Sequence, residues 1–313
     1  MTKPGNLLIT GCSGFVGNAL AVRASHHGYN VTGTSRQASG LNDNLFRWVQ
    51  MPDFSGREWL KLLEPIDVII HCAARVHQIH EDSQDPFKEY KAVNVDGTRK
   101  LAEFAIKAGV TRFILLSSVK VNGDSTKPGS PFKAGDPPAP STHYGQSKWE
   151  AERLIKELFK DRLAWIIVRP PLVYGPEAKG NLALFEKLAR CRLPLPLGHI
   201  ENRRSLISIS HLVEFLLHCV SCEATNETVL IADSKPLSTA EIFDLVGRLA
   251  SCPTICFGLP KPMQPLANAL LKRLGLFERL AGSLEVDTED SLKKMQWAPP
   301  DNFPNKNYPQ SGN

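Results

Sequence analysis

No stretch of this 313-residue chain approaches the roughly 20 consecutive apolar residues that a membrane-spanning helix needs. It has no run of basic residues and no interleaving of basic with aromatic side chains. Its net charge of +5 is mild. That argues against a nucleic-acid protein and is compatible with a small anionic substrate. Cysteine is sparse: seven residues, an odd number, are scattered with no disulfide framework. Neither Cys219-x-x-Cys222 nor Cys252-x-x-x-Cys256 carries the turn glycines of a zinc knuckle, and Cys219 falls inside the helical pattern L-V-E-F-L-L-H-C, so no metal is expected. His71, His77 and His80 straddle a strand end and the following loop and read as polar loop histidines. The N-terminus runs straight into the first strand with no room for a cleavable signal, so a cytoplasmic protein with reduced thiols is expected. Internal repeats are absent as well. What remains is an ordinary globular balance, 42% hydrophobic and 22% charged, in a chain long enough for a large domain with an additional lobe.

The chain is organised around Leu7 to Gly17, L-L-I-T-G-C-S-G-F-V-G. Leu7, Leu8 and Ile9 form a short buried strand, and an amphipathic helix pattern runs from Phe15 to His27. Gly11, Gly14 and Gly17 lie between and within them. A strand turning sharply into a helix needs one residue without Cβ, a backbone close to a pyrophosphate needs another, and tight helix-on-strand packing needs a third. The helix start, with Phe15 and Val16, offers unpaired N–H groups to phosphate oxygens. The order strand, turn, helix points to nucleotide binding.

Strands are expected at Asn30–Thr34, Phe46–Gln50, Asp67–His71, Arg112–Ser117 and Leu163–Val168. Helices are expected around Arg57–Leu63, Asp85–Ala108 and Tyr144–Phe159. Several strands are continuous apolar runs and they alternate with helices, the pattern of a parallel sheet covered on both faces. The expected fold is therefore α/β, a Rossmann-type doubly wound sheet over residues 1–169. After Arg169 prolines break the alternation. Residues 170–300 read as a smaller substrate lobe, partly interwoven with the sheet, and 301–313 as a polar tail. Within the lobe, Met263 to Leu280 contains an apolar helix bearing Lys272 and Arg273, expected as a lobe helix or substrate lid in preference to a basic amphipathic helix lying on a membrane.

Tyr144 and Lys148 are four residues apart at a helix start and share one face. A phenol with its usual pKa of about 10 is a poor base at neutral pH. A neighbouring ammonium, helped by the positive charge of an oxidised nicotinamide, stabilises the phenolate and brings it towards working range. The pair follows the fifth strand by one loop, which places it at the carboxyl edge of the sheet where a dinucleotide lies. Ser117 and Ser118 end that strand at the same edge, where they can hydrogen-bond a substrate oxygen.

Taken together, these features resemble an extended short-chain dehydrogenase/reductase of the NAD(P)-dependent sugar epimerase/dehydratase family. The matching motifs are T-G-x-x-G-x-x-G at Thr10–Gly17, H-C-A-A at His71–Ala74, N-V-x-G-T at Asn94–Thr98, S-S-V-K-V-N-G at Ser117–Gly123, Y-x-x-x-K at Tyr144–Lys148 and R-P-P-L-V-Y-G-P at Arg169–Pro176. In the lobe, L-P-L-P-L-G at Leu193–Gly198 and N-R-R-S-L-I at Asn202–Ile207 resemble nucleotide-sugar contacts. The resemblance implies Ser118, Tyr144 and Lys148 as the catalytic group. It implies Asp53 and Phe54 at the adenine, and Ala73, Ala74, Asn94, Ser117 and Pro170 along the cofactor. Arg204 is expected on the substrate diphosphate and Asn181 on the sugar nucleotide, with Ser118 against the sugar. A homodimer through the helices around Asn94–Ala108 and Gln146–Phe159 is also implied.

Three departures from the family pattern refine the expectation. The end of the second strand carries Ser35 and Arg36, where an acidic residue would hold both ribose hydroxyls of NAD; a 2′-phosphate suits a hydroxyl and a guanidinium better. NADP(H) is therefore favoured and NAD(H) is the alternative. Val119 and Lys120 stand where the family's 4,6-dehydratases place Asp and Glu, which argues against dehydration. Ser210 replaces an aspartate common after N-R-R-S-L. G-S-L-E-V-D at Gly282–Asp287 resembles a subgroup of bacterial polysaccharide clusters. That subgroup includes UDP-glucose 4-epimerases and reductases of UDP-4-keto-6-deoxy-N-acetylhexosamines. The expected activity is an NADPH-dependent 4-ketoreductase of such a ketosugar. The alternatives are a UDP-hexose 4-epimerase with tightly bound NAD and, from another class, a nucleotide-sensing scaffold.

Overall fold

The computed structural model describes residues 5–36, 45–76, 85–127, 129–176, 178, 181–192, 194–273 and 280–299. His77, His80 and the polar tail lie outside them.

The apolar runs become the strands of a parallel sheet. They are β1 (Asn6–Thr10), β2 (Asn30–Ser35), β3 (Arg47–Gln50), β4 (Val68–His71), β5 (Arg112–Leu116) and β6 (Ala164–Arg169). Their order in space is β3-β2-β1-β4-β5-β6, extended at the β6 edge by Glu227–Leu230. Leu7, Leu8, Ile9, Ile69, Ile70, Ile114 and Ile167 are fully or almost fully buried because helices cover both faces. One face carries α1 (Phe15–His26), with Leu20, Ala21 and Ala24 packed on Leu7, Ile9 and Val31. The other carries α2 (Glu58–Leu63), α4 (Thr98–Ala108) and α5 (His143–Phe159), whose apolar faces enclose Phe113, Leu115 and Ile167, while α3 (Pro86–Tyr90) packs against α5.

The strand order reverses beside β1, with β2 on one side and β4 on the other, so the carboxyl ends of β1 and β4 open a crevice at the switch point. Parts of this half come from beyond Arg169. Strand Glu227–Leu230 pairs in register with Ile166–Arg169, and the helix Ile209–Ser221 covers the sheet face next to α1. The remaining lobe residues form their own core, in which Phe185 meets Phe243 edge-on at 5.7 Å. The basic segment bearing Lys272 and Arg273 is helical over Gln264–Arg273. Among the described residues no helix is long and apolar enough to cross a membrane.

The expected long helix Asp85–Ala108 is interrupted: between α3 and α4 the chain makes a π-helical stretch, Lys91–Gly97. The extra residue per turn is the form such bulges take at functional sites, and here it carries Asn94.

Candidate active site

Gly11 takes φ +75°, and a Cβ on it would stand 2.7 Å from the Ala73 nitrogen at the end of β4. Gly17, one turn into α1, packs so closely that its Cβ would lie 2.3 Å from the Gly11 carbonyl oxygen. Helix α1 is therefore seated directly on the turn. Its first backbone bond runs from Asn18 N–H to Gly14 O at 3.0 Å, and Gly14 supplies no side-chain cap. The N–H groups of Phe15, Val16 and Gly17 are thus without intrahelical acceptors, and no acidic residue occupies the first turn. A cradle of this shape, with a partial positive charge and no side chain in the way, fits a dinucleotide pyrophosphate.

His71 is fully buried, which corrects its reading as a polar loop histidine. Ala73 N–H donates to Thr10 Oγ1 (3.2 Å), and Thr10 and His71 Nδ1 are 2.7 Å apart. His71 Nε2 lies 2.9 Å from Thr98 Oγ1, and Thr98 donates to Asn94 O at 2.7 Å. One assignment satisfies every group: Thr10 donates to a neutral ring at Nδ1, and Nε2–H donates to Thr98. Burial agrees, pushing the imidazole down to about 3. The neutral ring thus joins the glycine turn, the end of β4 and the π-helical stretch. Because the ring takes up a proton far more readily in the unfolded chain, its stabilisation is complete above its ordinary value of 6.5 and is lost as pH falls towards 3. At pH 5 the loss should be about 2 kcal/mol. Denaturant unfolding of the wild type and His71→Gln at pH 7 and pH 5 checks this. The stability gap between them should shrink by that amount, and a constant gap means that His71 does not couple protonation to folding.

Asn94 is equally buried and its amide is engaged by the protein itself. It accepts from Arg75 N–H (2.8 Å) and donates to Arg75 O (3.0 Å) and Ser147 Oγ (2.9 Å). The residue expected along the cofactor thus ties the segment after β4 to helix α5.

Helix α5 starts where Thr142 Oγ1 accepts from Gly145 N–H at 3.1 Å. Gly145 lets this end approach the loop after β5, since a Cβ there would meet Lys120 O at 2.6 Å. Tyr144 and Lys148 share the face turned to β5, as the spacing predicts, and Tyr144 hydrogen-bonds Ser118. The electrostatics differ from the expectation. Burial raises the Tyr144 phenol to about 12, with the Ser118 bond working the other way. Burial also lowers Lys148 to about 8, opposed by Cys72 and Glu152. The Lys148 ammonium donates to Leu116 O at 2.8 Å. In the protein alone, Tyr144 is therefore a proton donor, and further positive charge is needed to turn it into a base.

Of the two serines, only Ser118 presents its hydroxyl to Tyr144. Ser117 donates to Glu152 Oε1 at 2.5 Å, which corrects the expectation that it reaches a substrate oxygen. Pro170 contributes its carbonyl to Val119 N–H at 3.0 Å. Asp53 is exposed and accepts from Ser55 N–H and Oγ, which hold its carboxyl below the usual range. Phe54 stacks on Trp59 at 5.0 Å and meets His71 edge-on at 5.5 Å. Ala74 is half-buried after Ala73. At the end of β2, Ser35 is buried and Arg36 is exposed, its carbonyl taken by Gln50 Nε2 at 3.2 Å.

In the lobe, Arg204 Nε donates to Gly282 O at 2.8 Å, and Asn202 is a buried staple to Thr239, Leu280 and Gly282. Asn181 opens the helix Asn181–Arg190; its side chain lies outside the description. Ser210 is exposed with its hydroxyl 3.2 Å from Ser208 Oγ, and nearby Asp233 accepts from Tyr174 OH (2.8 Å) and Ser208 N–H (3.1 Å) and faces His211 Nδ1 at 2.7 Å. Among the described residues no three His, Cys, Asp or Glu side chains gather as a metal site.

Sequence reasoning did not single out Gly145, Glu152 or Asn122, and it read Arg169 only as part of a motif. Two signals were present. Glu152 continues the spacing Tyr144, Lys148 by another four residues, and Arg169 is a charge ending a buried strand, which demands a partner.

The profile of the NAD dependent epimerase/dehydratase family matches residues 7–232. A UDP-glucose 4-epimerase of Vibrio cholerae is 37% identical over 302 residues, 95% of this chain and 92% of that protein. A UDP-N-acetylglucosamine 4-epimerase from Bacillus cereus superposes with a TM-score of 0.75 at 16% identity, covering 95% and 92% of the two chains. MoeE5, solved in complex with UDP-glucose and NAD, superposes at 0.73 and 22% identity over 96% and 95%. The fold, the glycine cradle and the matched length agree: this chain belongs to the NAD dependent epimerase/dehydratase family of extended short-chain dehydrogenases/reductases.

Proposed function

We propose that the protein is a UDP-hexose 4-epimerase that works with NAD held on the glycine turn. The observation that carries this reading is the cluster Ser118, Tyr144 and Lys148 at the carboxyl edge of the sheet, next to a cradle that fits a pyrophosphate. The near full-length relationship to a UDP-glucose 4-epimerase supports epimerisation better than the ketoreduction expected from the sequence. NAD supplies the hydride acceptor and, later, the donor. Tyr144 takes the proton of the C4 hydroxyl and afterwards returns it to the oxygen, which Ser118 holds. Lys148 would hold the nicotinamide ribose, and the oxidised nicotinamide would add the positive charge that a phenol raised to about 12 still requires. Asp53, Phe54, Ala73, Ala74 and the N–H groups of Phe15 and Val16 line the cofactor; Arg204 and Asn181 take the nucleotide sugar. A homodimer through α4 and α5 belongs to the same proposal.

A second reading is favoured by one feature. No carboxylate ends β2, where Ser35 and Arg36 suit a 2′-phosphate, and a ketoreductase using NADPH would need that. One experiment separates the two. Purified protein is given UDP-glucose or UDP-N-acetylglucosamine without added cofactor and, separately, a UDP-4-keto-6-deoxy-N-acetylhexosamine with NADPH. Interconversion of 4-epimers with no net oxidation is expected. NADPH consumption on the ketosugar, with no epimer formed in the first arm, overturns the epimerase in favour of the reductase.

A further inference from the structure

The buried pair Arg169–Glu152 lies outside the reacting group yet touches every element that carries it. The two side chains are 3% and 1% exposed. Arg169 donates from Nε to Glu152 Oε1 at 2.9 Å and from Nη2 to Oε2 at 2.6 Å, and its Nη1 reaches Asn122 Oδ1 at 3.0 Å. Ser117 donates to the same carboxylate. Glu152 stands on α5, one turn beyond Lys148 and two beyond Tyr144; Arg169 ends β6, Ser117 follows β5, and Asn122 ends the short helical turn begun at Ser118. Desolvating two charges makes such a pair a poor source of stability, and an apolar pair of similar volume is often as good. Its distinctive product is geometry, since a two-pronged guanidinium–carboxylate contact permits one orientation.

We propose that Glu152 and Arg169 are the positioning residues of this site: they fix the depth and rotation of α5 against the ends of β5 and β6, hold Tyr144 and Lys148 opposite Ser118, and keep Lys148 charged. The proposal rests on the reading of those three residues as the reacting group. Lys148 faces His71 and Cys72 from β4, the Leu116 carbonyl from β5, and Tyr144 and Glu152 from its own helix, with Arg169 of β6 behind Glu152. Glu152 is the carboxylate among them, ion-paired with Arg169. Burial has already brought Lys148 to about 8, so losing that anion moves its titration further down.

Two variants test the proposal, Glu152→Gln and the double variant Glu152→Met with Arg169→Met, which keeps the volume and removes both charges. In folded protein, kcat for 4-epimer interconversion should fall about a hundredfold, as expected when reacting groups shift by about 1 Å. KM should hold within about twofold, since nothing that binds the nucleotide has changed. In Glu152→Gln the alkaline loss of kcat should begin at lower pH. The same downward shift should be visible in the NMR titration of 13C-labelled Lys148, which needs no turnover. A wild type without epimerase activity fails the functional reading, and the Lys148 titration then still decides the positioning role. If either variant folds and keeps wild-type kcat, or if Lys148 titrates unchanged in Glu152→Gln, the proposal is overturned.

Discussion

Replacing Tyr144 with Phe should lower 4-epimer interconversion by about 10²–10⁴-fold while leaving the fold and the dinucleotide cradle intact. On the reacting face of α5 the Lys148 ammonium is engaged by Leu116 O, which leaves the Tyr144 phenol as the group assigned to carry a proton to and from the sugar oxygen. Its hydroxyl bonds to Ser118, and its ring packs edge-on against Tyr90 at 6.3 Å. Phe retains the ring contact and deletes the hydroxyl, so the variant isolates proton transfer from packing. Losing the Ser118 bond costs about 1 kcal/mol of stability at most. That is far too little to unfold a domain with a stability of ordinary size. The measurement is single-turnover and steady-state conversion of UDP-glucose, paired with thermal melting and retained nucleotide. A variant within tenfold of wild type sinks Tyr144 as acid and base.

Gly17→Ala attacks the other half of the site and should weaken dinucleotide binding by about 10–100-fold. A methyl at this position would stand 2.3 Å from the Gly11 carbonyl oxygen and 2.7 Å from the carbon, both backbone atoms. Backbone cannot swing aside as the tip of a side chain can, so α1 must lift from the turn. Overpacking of this kind costs about 1–3 kcal/mol, which, if borne by the bound state, is the quoted loss of affinity. The lifted helix also carries away the N–H groups of Phe15, Val16 and Gly17, which the proposed function assigns to the phosphates. Calorimetric titration of nucleotide-free protein with NAD gives the answer. Unchanged affinity would mean that the cradle tolerates movement of the helix, against the close seating of α1. The two variants should separate cleanly: one loses chemistry and keeps cofactor, the other loses cofactor and with it chemistry.

The parallel sheet was legible because its strands are unbroken apolar runs, and such runs have few other ways to be buried. Asn6–Thr10, Val68–His71 and Arg112–Leu116 fall within a residue of the expected bounds. The glycine turn was legible for a similarly local reason, since a residue lacking Cβ at a strand-to-helix turn states a steric need in the sequence itself. The strand from beyond Arg169 escaped, because E-T-V-L is too short to carry a pattern and its place depends on pairing with Ile166–Arg169 across some sixty residues. His71 was misread because its burial comes from Phe54, Phe113 and Thr98, none of them a sequence neighbour.

Local sequence determined where the cradle that fits a dinucleotide phosphate lies and that Tyr144, Lys148 and Ser118 share an edge, for these follow from the turn, the helical repeat and the strand end. Tertiary structure alone decided the state of those groups. Burial, not the neighbouring ammonium, governs Tyr144 in the protein by itself, and it places Lys148 within reach of neutral pH. It also turned Ser117 inward to a carboxylate held by Arg169. Desolvation depends on how much of the rest of the chain surrounds a group, which no spacing along the chain records. The glycine turn can therefore be read from eleven residues, whereas the chemistry it serves depends on the packing of α5 against the whole sheet.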